Sequence, residues 1–579
     1  MDGARLFLDL SALLGFFGTH RAPMGMARVQ MALLEAALAP PALLAPVAFP
    51  DAAPGLREVP AAPLRALLDA ARAGGDAQAP DFLQARAALE AALLAAPAPR
   101  IGAGDRILHP APQRPDDLLR LLPWQEAGAL LCVLFHDAIP LSAPEHVPLP
   151  TLRDFGWLFG TLCLAADRVA AVSRHSAAEF TRWQRRFLPG LELPVAAMPM
   201  DAPFPAAPPG ALPPPLADGR PFVLCVSTLE SRKDHATLLR AWKALLRRHG
   251  EAAVPDLVLV GREGFGAEAA LRLLRQVPEL ARKVHWRAGL GDGALAALYR
   301  ACLFSVFNSF EEGWGLPVTE ALAFGKLVLA PDHSSLREAG GEAALYFPPG
   351  EAEALAALAW TLVADPARRR ALEAERLPRA RLRPWRAVAE GLARDLLAGA
   401  PALPPPVARM PLPLDRHLMV SPAPDARGLP PPGSLLPLLL RAGDGWGGLE
   451  PGGCWLLRPP PGGHPARLRV PALPGGGTRR LFLEFESPPA AVTLHLRAGG
   501  RALAVPMGAS EARLLVVDLP PGEDAVEFGA DGAAAPIADD PRRLVARLRA
   551  LRLCDARHAP HPHEIMEPER CHVLPAPPP

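Results

Sequence analysis

Short apolar runs alternate with longer amphipathic stretches along the first 398 residues of the chain. Runs such as 130–135 (LLCVLF) and 168–172 (RVAAV) are typical of strands buried in a parallel sheet. Stretches such as 27–38 (ARVQMALLEAAL) repeat their apolar residues at helical spacing. Because strands that alternate with helices indicate βαβ units, the pattern predicts two Rossmann-like α/β domains that face one cleft.

The same pattern predicts individual elements. In the first half, residues 6–10 (LFLDL) form a strand and the Ala- and Leu-rich residues 61–100 are helical. In the second half, one helix begins at about His235. The strands predicted there are 222–227, 256–261, 283–286, 303–307 and 326–330.

Two Pro-rich segments, 201–221 and 399–433, interrupt this pattern and are predicted to be interdomain linkers. They divide the chain into an N-terminal Rossmann-like domain on the acceptor side and a second Rossmann-like domain that binds a nucleotide sugar, followed by an all-β domain. The predicted boundaries are 1–200 for the first domain, 222–383 for the second, 384–398 for a helix that packs back on the first, 434–557 for a β-sandwich and 558–579 for a tail.

Beyond residue 433 the chain turns to short alternating strands separated by Gly and Pro, which predicts a β-sandwich or jelly roll. Trp446 and Trp455 could stack on a sugar or cover the core, and we favour the core because large aromatic side chains usually pack. We expect this module to fold separately and to be dispensable for donor binding. The His-containing tail matches no metal-ligand spacing well, so a solvated, partly disordered tail is expected.

Composition narrows the possible classes of protein. A chain of 579 residues is long enough for roughly three or four domains, and a net charge of +1 gives no general reason to bind nucleic acid. Seven cysteines without a CxxC pair fit a reducing compartment. The N-terminus reads as a strand rather than a signal peptide, and no apolar run reaches the roughly 18–20 residues that span a bilayer. We therefore expect a soluble or peripherally attached protein.

The candidate chemistry centres on 309–326 (SFEEGWGLPVTEALAFGK). Glu312 is predicted in a loop at the carboxyl edge of the sheet, and Glu320 in the first turn of the following helix. Gly313 and Gly315 let backbone N–H groups approach an anion, and the helix N-terminus favours a diphosphate. Carboxylates can accept hydrogen bonds from two adjacent sugar hydroxyls. The alternative is an acidic surface loop beside an ordinary amphipathic helix.

Arg232 and Lys233 stand just before a predicted helix, after the first strand of the second domain. Adjacent cations there would neutralise a diphosphate and assist its departure. Alone, they could be two solvated charges. Together with the paired glutamates and the Gly-rich turn, they favour a donor site.

The segments that carry these residues resemble retaining glycosyltransferase family 4, which has the GT-B fold. They are particularly similar to bacterial mannosyl- and rhamnosyltransferase-like members used for surface polysaccharides. The most specific segments are 223–242, 257–266 and 295–350. Family-like pieces of the first half are DLSALL, GMARVQMALLEA, VLFHDAIPL and ADRVAAVSRHSAAEF, so the resemblance covers roughly residues 1–398.

The resemblance implies catalytic and donor-binding roles for four charged residues. Glu312 would bind the hydroxyls of the donor sugar, and Glu320 would bind the nucleotide ribose. Arg232 and Lys233 would hold the diphosphate.

Backbone groups and one histidine complete the implied site. Gly313 belongs to the donor-binding loop, and the backbone of Gly315 and Leu316 would contact the same anion as the two cations. His136 would reach the donor sugar from the first domain, although it could instead be a structural histidine at a strand end. Gly25 would approach the donor phosphate or the acceptor. The Asn-Gly pair that the family usually has before the linker is absent from AAMPMDAPF.

The implied activity is metal-independent, retaining transfer of a hexose from a nucleotide-diphosphate sugar to a glycan or lipid-linked glycan, with no cofactor. GDP-mannose is the donor that the resemblance suggests, and UDP- and dTDP-sugars stay open. Two alternatives are an inactive nucleotide-sugar or glycan-binding scaffold and a nucleotide-sugar epimerase of the same fold. We expect a cytoplasmic location, and peripheral contact with the inner membrane stays open.

Overall fold

The computed structural model describes residues 4–51, 55–204, 210–213, 219–399, 403–410, 413–422, 428–443, 445–450, 452–459, 464–473, 476–531 and 544–574. Parts of both predicted linkers and the end of the predicted tail lie outside the described residues. Among the described residues, no helix is long and apolar enough to cross a bilayer.

The first domain is built around one sheet with helices on both faces. Its strands are β1 (Leu6–Asp9), β2 (Ala45–Ala48), β3 (Arg57–Glu58), β4 (Arg106–His109), β5 (Leu130–Phe135), β6 (Arg168–Ala171) and β7 (Val195–Ala197). Its helices are α1 (Ser11–Phe17), α2 (Met26–Leu38), α3 (Ala61–Arg72), α4 (Pro80–Ala95), α5 (Pro115–Leu119), α6 (Leu122–Glu126), α7 (Ile139–Ser142), α8 (Leu149–Ala165) and α9 (Arg174–Phe187). The strand order is β3-β2-β1-β4-β5-β6-β7, and only β3 pairs antiparallel.

The second domain has a parallel sheet in the order β10-β9-β8-β11-β12-β13. Its strands are β8 (Phe222–Val226), β9 (Asp256–Val260), β10 (Val284–Arg287), β11 (Ser305–Val306), β12 (Val328–Pro331) and β13 (Leu345–Phe347). Its helices are α10 (His235–His249), α11 (Glu268–Gln276), α12 (Pro278–Lys283), α13 (Asp292–Ala301), α14 (Leu316–Ala323), α15 (Leu336–Gly340), α16 (Ala352–Ala364) and α17 (Pro366–Arg376). The strand order reverses between β8 and β11, and ligands of doubly wound sheets bind at that point.

Helix α18 (Trp385–Leu397) leaves the second domain and packs against α2 of the first. The guanidinium of Arg386 donates to the carbonyls of Ala36 (3.1 Å), Ala39 (2.7 Å) and Pro41 (2.8 Å) at the end of α2. These bonds hold α18 against the end of α2. The carbonyls in the last turn of a helix have no N–H partner within that helix, so they are free to accept from Arg386.

The C-terminal module is a sandwich of two mainly antiparallel sheets. Its elements are β14 (Leu418–Met419), α19 (Leu436–Leu439), β15 (Arg441–Ala442), β16 (Trp446–Glu450), β17 (Gly453–Leu457), β18 (Ala466–Arg469), β19 (Arg479–Glu486), β20 (Val492–Ala498), β21 (Arg501–Met507), β22 (Ala512–Leu519), β23 (Ala525–Asp531), β24 (Leu544–Asp555) and β25 (Cys571–Leu574). One sheet has the order β16-β17-β24-β19-β22-β25, with β14 beside β24, and the other has the order β15-β18-β23-β20-β21. The predicted architecture, two Rossmann-like domains followed by an all-β domain, is confirmed.

Two predictions about the C-terminal region are wrong. Within the predicted tail, β25 pairs in parallel with β22 and extends its sheet, so this stretch is ordered and hydrogen-bonded. Within the second predicted linker, β14 pairs with β24 and Leu429 is buried. Alternating apolar residues are scarce in both stretches, so the pairing partner, rather than the local pattern, makes them strands.

The module also shares a core with the first domain, against the expectation that it folds separately. Helix α8 packs closely on the second Pro-rich segment. An ideal Cβ at Gly156 would lie 1.8 Å from the carbonyl oxygen of Gly428. Gly160 meets Leu435 in the same way. One continuous cluster of buried residues runs from α8 and the first sheet into the interior of the sandwich.

A buried arginine ties the second Pro-rich segment to the end of α8. Arg409, in the 3₁₀ helix Pro406–Arg409, donates to the carbonyls of Leu164 (2.9 Å) and Ala166 (2.5 Å) and pairs with Asp167. A cation at a helix C-terminus is favoured by the helix dipole.

The two tryptophans of the C-terminal module are both packed, since Trp455 is 8% exposed and Trp446 lies against Phe528.

Candidate active site

The two predicted cations lie where the strand order of the second sheet reverses. Arg232 and Lys233 close the 3₁₀ helix Ser231–Lys233 that follows β8. The next residue, Asp234, has φ of 41° and caps α10 by accepting from the Thr237 N–H at 3.2 Å. Asn308, just past β11, donates to the Asp234 carbonyl at 2.8 Å. The left-handed turn and these two bonds fix the cations at the carboxyl edge of the sheet.

Glu312 lies directly against both cations. Its Oε1 accepts from Arg232 Nη1 at 2.9 Å and from Lys233 Nζ. Arg232 also donates to Glu230 Oε1 at 2.7 Å and to the Glu311 carbonyl at 2.6 Å. The structure therefore brings three of the predicted site residues, Arg232, Lys233 and Glu312, into one buried cluster.

Burial and the opposite charges of the neighbours act against each other on the pKa values of the cluster. Burial would raise the pKa of Glu312, but Lys233 and Arg232 outweigh it and hold that pKa below its ordinary value. Burial, together with the charge of Arg232, lowers the pKa of Lys233, and Glu312 opposes this shift. Burial would also lower the pKa of Arg232, yet the carboxylates of Glu312 and Glu230 raise it.

The Gly-rich loop brings the two Rossmann-like domains into contact. An ideal Cβ at Gly313 would lie 2.3 Å from the His136 carbonyl oxygen, so only glycine fits there. Ser176 Oγ donates to the carbonyls of both His136 (2.7 Å) and Gly313 (3.1 Å). Gly315 is the N-cap of α14, and Leu316 is its first residue, whose N–H has no acceptor within the helix.

His136 is neutral and its proton position is set by a neighbour. Nε2 lies 2.9 Å from the Pro110 carbonyl, which can only accept, so Nε2 carries the proton and Nδ1 is left as an acceptor. Burial lowers the pKa of His136 to about 4. The adjacent Asp137 lies near Arg232 and Glu312, and burial raises the pKa of its carboxyl group.

Glu320 lies in a different environment from Glu312 and one turn deeper than predicted. It is the fifth residue of α14 and faces the domain interface, 4% exposed. Tyr299 Oη donates to its Oε2 at 2.9 Å. Arg28, from α2 of the first domain, lies 3.9 Å from its Oε1 and pairs with Asp292 at 2.7 Å. Burial raises the pKa of Glu320, and Arg28 opposes that shift.

Gly25 is the N-cap of α2, one turn before Arg28, and its Cα faces open space among the described residues. It therefore lies at the same end of α2 as Arg28, which reaches Glu320. The structure does not join the two glutamates into one cluster, because Glu312 contacts Arg232 and Lys233 while Glu320 contacts Tyr299 and Arg28.

Sequence reasoning missed four residues of the site: Arg28, Asp137, Asp292 and Tyr299. Two weak signals were available. Asp137 follows His136 directly, and Arg28 lies three positions after Gly25 within GMARVQ. Neither signal shows that a side chain crosses from one domain to the other.

Further polar contacts hold the domains together around the loop. His146 Nδ1 lies 3.1 Å from Ser231 Oγ, and its ring stacks on Phe310. Glu338 accepts from the His175 N–H at 2.8 Å at the start of α9, and the His175 ring pairs with Glu311. The cleft is therefore closed by side chains of both domains.

Comparison with known proteins places this cluster in a described family. Residues 213–376 match the family model "Glycosyl transferases group 1". The chain carries a group 1 glycosyltransferase domain. This domain contains Arg232, Lys233, Glu312 and Glu320. The finer placement in family 4 stays a prediction.

The curated relatives are similar over part of their length. The serotype-specific mannosyltransferase WbdA of Escherichia coli is 30% identical over 244 residues, which are 40% of this chain and 30% of WbdA. The O-antigen chain mannosyltransferase B of Escherichia coli is 34% identical over 139 residues, 24% of this chain and 35% of that protein. The matches thus span about a third of the relatives. Sucrose-phosphate synthase from Thermosynechococcus elongatus aligns with a TM-score of 0.46 at 22% identity, over 69% of this chain and 100% of that chain.

Proposed function

We propose that this protein transfers a hexose, with retention of configuration and without a metal ion, from a nucleotide-diphosphate sugar to a glycan or lipid-linked glycan in bacterial surface polysaccharide synthesis. The observation that carries the proposal is the cluster of Arg232, Lys233 and Glu312 at the switch point of the second sheet. The names of the mannosyltransferase relatives favour mannose as the transferred sugar. GDP-mannose is the donor that the resemblance suggests.

The cluster has hydrogen-bond donors to spare for a diphosphate. A guanidinium carries five N–H groups and an ammonium three. Glu312 accepts one from each, and Arg232 gives two more to Glu230 and the Glu311 carbonyl, which leaves about two donors on each cation. The remaining donors, with the N–H groups at the start of α14, would stabilise the charge that develops on the leaving diphosphate. Two cations and a helix end would therefore take the part that a divalent cation plays in other transferases.

The carboxylates would orient the donor. Glu312 stays ionised beside its two cations and can accept from hydroxyls of the transferred sugar. Glu320 would accept from the nucleotide ribose, with Arg28 and Tyr299 fixing its position. His136 would reach the sugar from the first domain. Its backbone carbonyl already lies against Gly313 of the donor-binding loop.

In the proposed step, the bond from the anomeric carbon to the diphosphate breaks and the bond to the acceptor oxygen forms on the same face of the sugar. The acceptor proton passes to the leaving phosphate oxygen. The protein then contributes orientation and electrostatic stabilisation rather than a side-chain base. A lipid-linked acceptor would place this reaction at the cytoplasmic face of the inner membrane.

A donor panel tests the proposal. GDP-, UDP- and dTDP-hexoses are incubated with the full chain and candidate acceptors, and nucleoside diphosphate release is followed together with the anomeric configuration of the product by NMR. We expect release from one donor class, insensitivity to excess EDTA and an α-configured product from an α-configured donor.

Glu312→Gln should abolish most of the release, while Glu353→Gln, an exposed glutamate of α16 with a 66% exposed side chain, should not. Binding of a nucleotide sugar without turnover would support the scaffold alternative, and an epimerised but untransferred sugar would support the epimerase. Loss of activity in EDTA with rescue by Mg²⁺ would contradict the metal-free step.

A further inference from the structure

A cavity of about 330 Å³ lies in the first domain between α8 and the carboxyl ends of β4 and β5. One face of α8 forms its wall, at the spacing expected for a single helix face. The residues of that face are Thr151, Asp154, Phe155, Leu158, Phe159 and Leu162.

The cavity is too large for a packing gap. Helices normally pack on sheets with few voids larger than a water molecule, and this space corresponds to the volume of roughly ten waters. The opposite side of α8 is fixed by its close approach to Gly428 and by Arg409 at its C-terminal end. The separation between helix and sheet is therefore built into the fold.

The floor and the mouth of the cavity differ in chemistry. The floor is formed by Leu134, Phe135, Leu158 and Phe159, which are 0–5% exposed and offer no side-chain hydrogen bonds. A sugar hydroxyl would lose its water partners there without replacement, whereas an apolar group would gain from burial. The mouth carries exposed polar residues, including Thr151.

The mouth also adjoins the donor loop. His136 and Asp137 line the cavity, and the Gly313 backbone lies against both of them from the other domain. A molecule in the cavity therefore lies against the segment that contacts the Gly313 loop, and Glu312 is the neighbouring residue of that loop.

We infer that this cavity binds an apolar chain of the acceptor, and that the acceptor carries this chain within about one sugar unit of the reacting hydroxyl. The acceptor class is then an amphipathic glycoside, such as a monosaccharide on an alkyl or isoprenoid lipid, rather than a long polar glycan. The identification of this ligand as the acceptor rests on the proposed transferase function.

Octyl α-D-mannoside and methyl α-D-mannoside, both below the micellar concentration, test the inference with the full chain. Calorimetry should show the octyl glycoside binding at least roughly tenfold tighter than the methyl glycoside, because only its chain reaches the apolar floor. Equal binding of the two glycosides would overturn the inference.

A bulky side chain at the mouth provides the structural test. Thr151→Trp should remove the preference for the octyl glycoside. The matched control is Leu149→Trp, which is in the same turn of α8, 77% exposed and outside the cavity lining. Both positions are exposed, so neither variant should alter folding. If octyl binding survives in Thr151→Trp, the chain binds elsewhere and the inference fails.

Binding and transfer separate this inference from the proposed function. Tight octyl binding that Thr151→Trp removes, without turnover of any nucleotide sugar, would leave the cavity assigned and the transferase function wrong. Turnover with a polar glycan acceptor, unaffected by Thr151→Trp, would leave the function standing and the cavity assignment wrong.

Discussion

The two Rossmann-like domains use the faces of their sheets differently. In the second domain, Leu257 and Leu259 of β9 point into a cluster made by that domain alone, and only the alternate residues face the first domain. In the first domain, Val133 of β5 joins the cluster shared with the C-terminal module, and Leu134 joins the cluster shared with the second domain. The second domain keeps one private core, whereas the first domain shares both of its faces.

The two regions also differ in how their side chains are positioned, by nearby residues in the second domain and by residues distant in the chain in the first. The donor cluster consists of residues on two loops of one sheet, each positioned by its own turn and cap. The cavity beside α8 has as its wall a helix that is bonded on its other side to residues more than 240 positions away in the chain, as the bond from Arg409 to Leu164 shows. The C-terminal module would thus serve the reaction by supporting α8.

The largest effect is expected where the first domain depends on the module. Arg409→Met leaves Asp167 buried without its cation and removes the donors that cap α8, so the free energy of unfolding should fall by about 3–5 kcal/mol. Urea denaturation measures the loss. Arg416→Met, at an exposed position of the same segment, is the control.

Arg409→Met should also weaken octyl glycoside binding more than nucleotide binding, because the second domain retains its private core. Equal loss of octyl glycoside binding and nucleotide binding would show that the two domains depend equally on the contact made by Arg409. An unchanged unfolding free energy would show that the bonds from Arg409 to the end of α8 do not stabilise the first domain.

The next effect tests the local chemistry of the second domain. Arg232→Ala and Lys233→Ala should each remove about 2–4 kcal/mol of transition-state stabilisation, as the loss of one donor to a developing charge commonly does. The measurement is kcat/KM for donor turnover. Arg247→Ala, an α10 arginine with a 59% exposed side chain, should keep full activity. Near-normal turnover in both cation variants would remove the diphosphate from this cluster.

Much of the second domain could be predicted from its sequence because its signals are local. The predicted strands, the start of α10 at His235 and the placing of Arg232 and Lys233 just before that helix follow from runs, caps and turns within a few residues. The cross-domain contacts of Glu320 could not be predicted in this way, since Arg28 reaches it from 292 positions away. Likewise, β25 is a strand only because β22 offers it an edge.

A smaller effect is expected for Arg28, which reaches from the first domain to Glu320, the proposed ribose ligand. Arg28→Lys keeps the charge but loses the planar guanidinium, whose Nη2 donates to Asp292 at 2.7 Å while its Nε lies 3.9 Å from Glu320. A single ammonium nitrogen cannot occupy both of these positions. The KM for the donor should rise roughly tenfold with little change in kcat, the pattern of lost uniform binding.

Arg65→Lys, on the exposed surface of α3, is the matched control for Arg28→Lys. A fall in kcat at unchanged KM would instead show that Arg28 stabilises the transition state more than the bound donor. If both constants stay unchanged, Glu320 does not bind the donor through this interface.

The smallest effect concerns the ionic contact between α9 and the Gly-rich loop. The hydrogen bond that His175 Nε2 donates to Glu311 raises the pKa of His175, and burial opposes the shift. A raised pKa means that the contact stabilises the closed domains fully below the ordinary histidine pKa of about 6.5 and is lost as pH rises through the higher value. His333, 3.3 Å from Glu311, and Glu338, which accepts the His175 N–H, also face this contact.

Glu311→Gln should therefore lower the unfolding free energy by about 0.5–1 kcal/mol at about pH 6 and by less at about pH 9. Urea titrations at the two pH values measure the difference, with Glu353→Gln as the surface control. A Glu311→Gln effect that is equal at both pH values would show that His175 does not hold the two domains together by its charge.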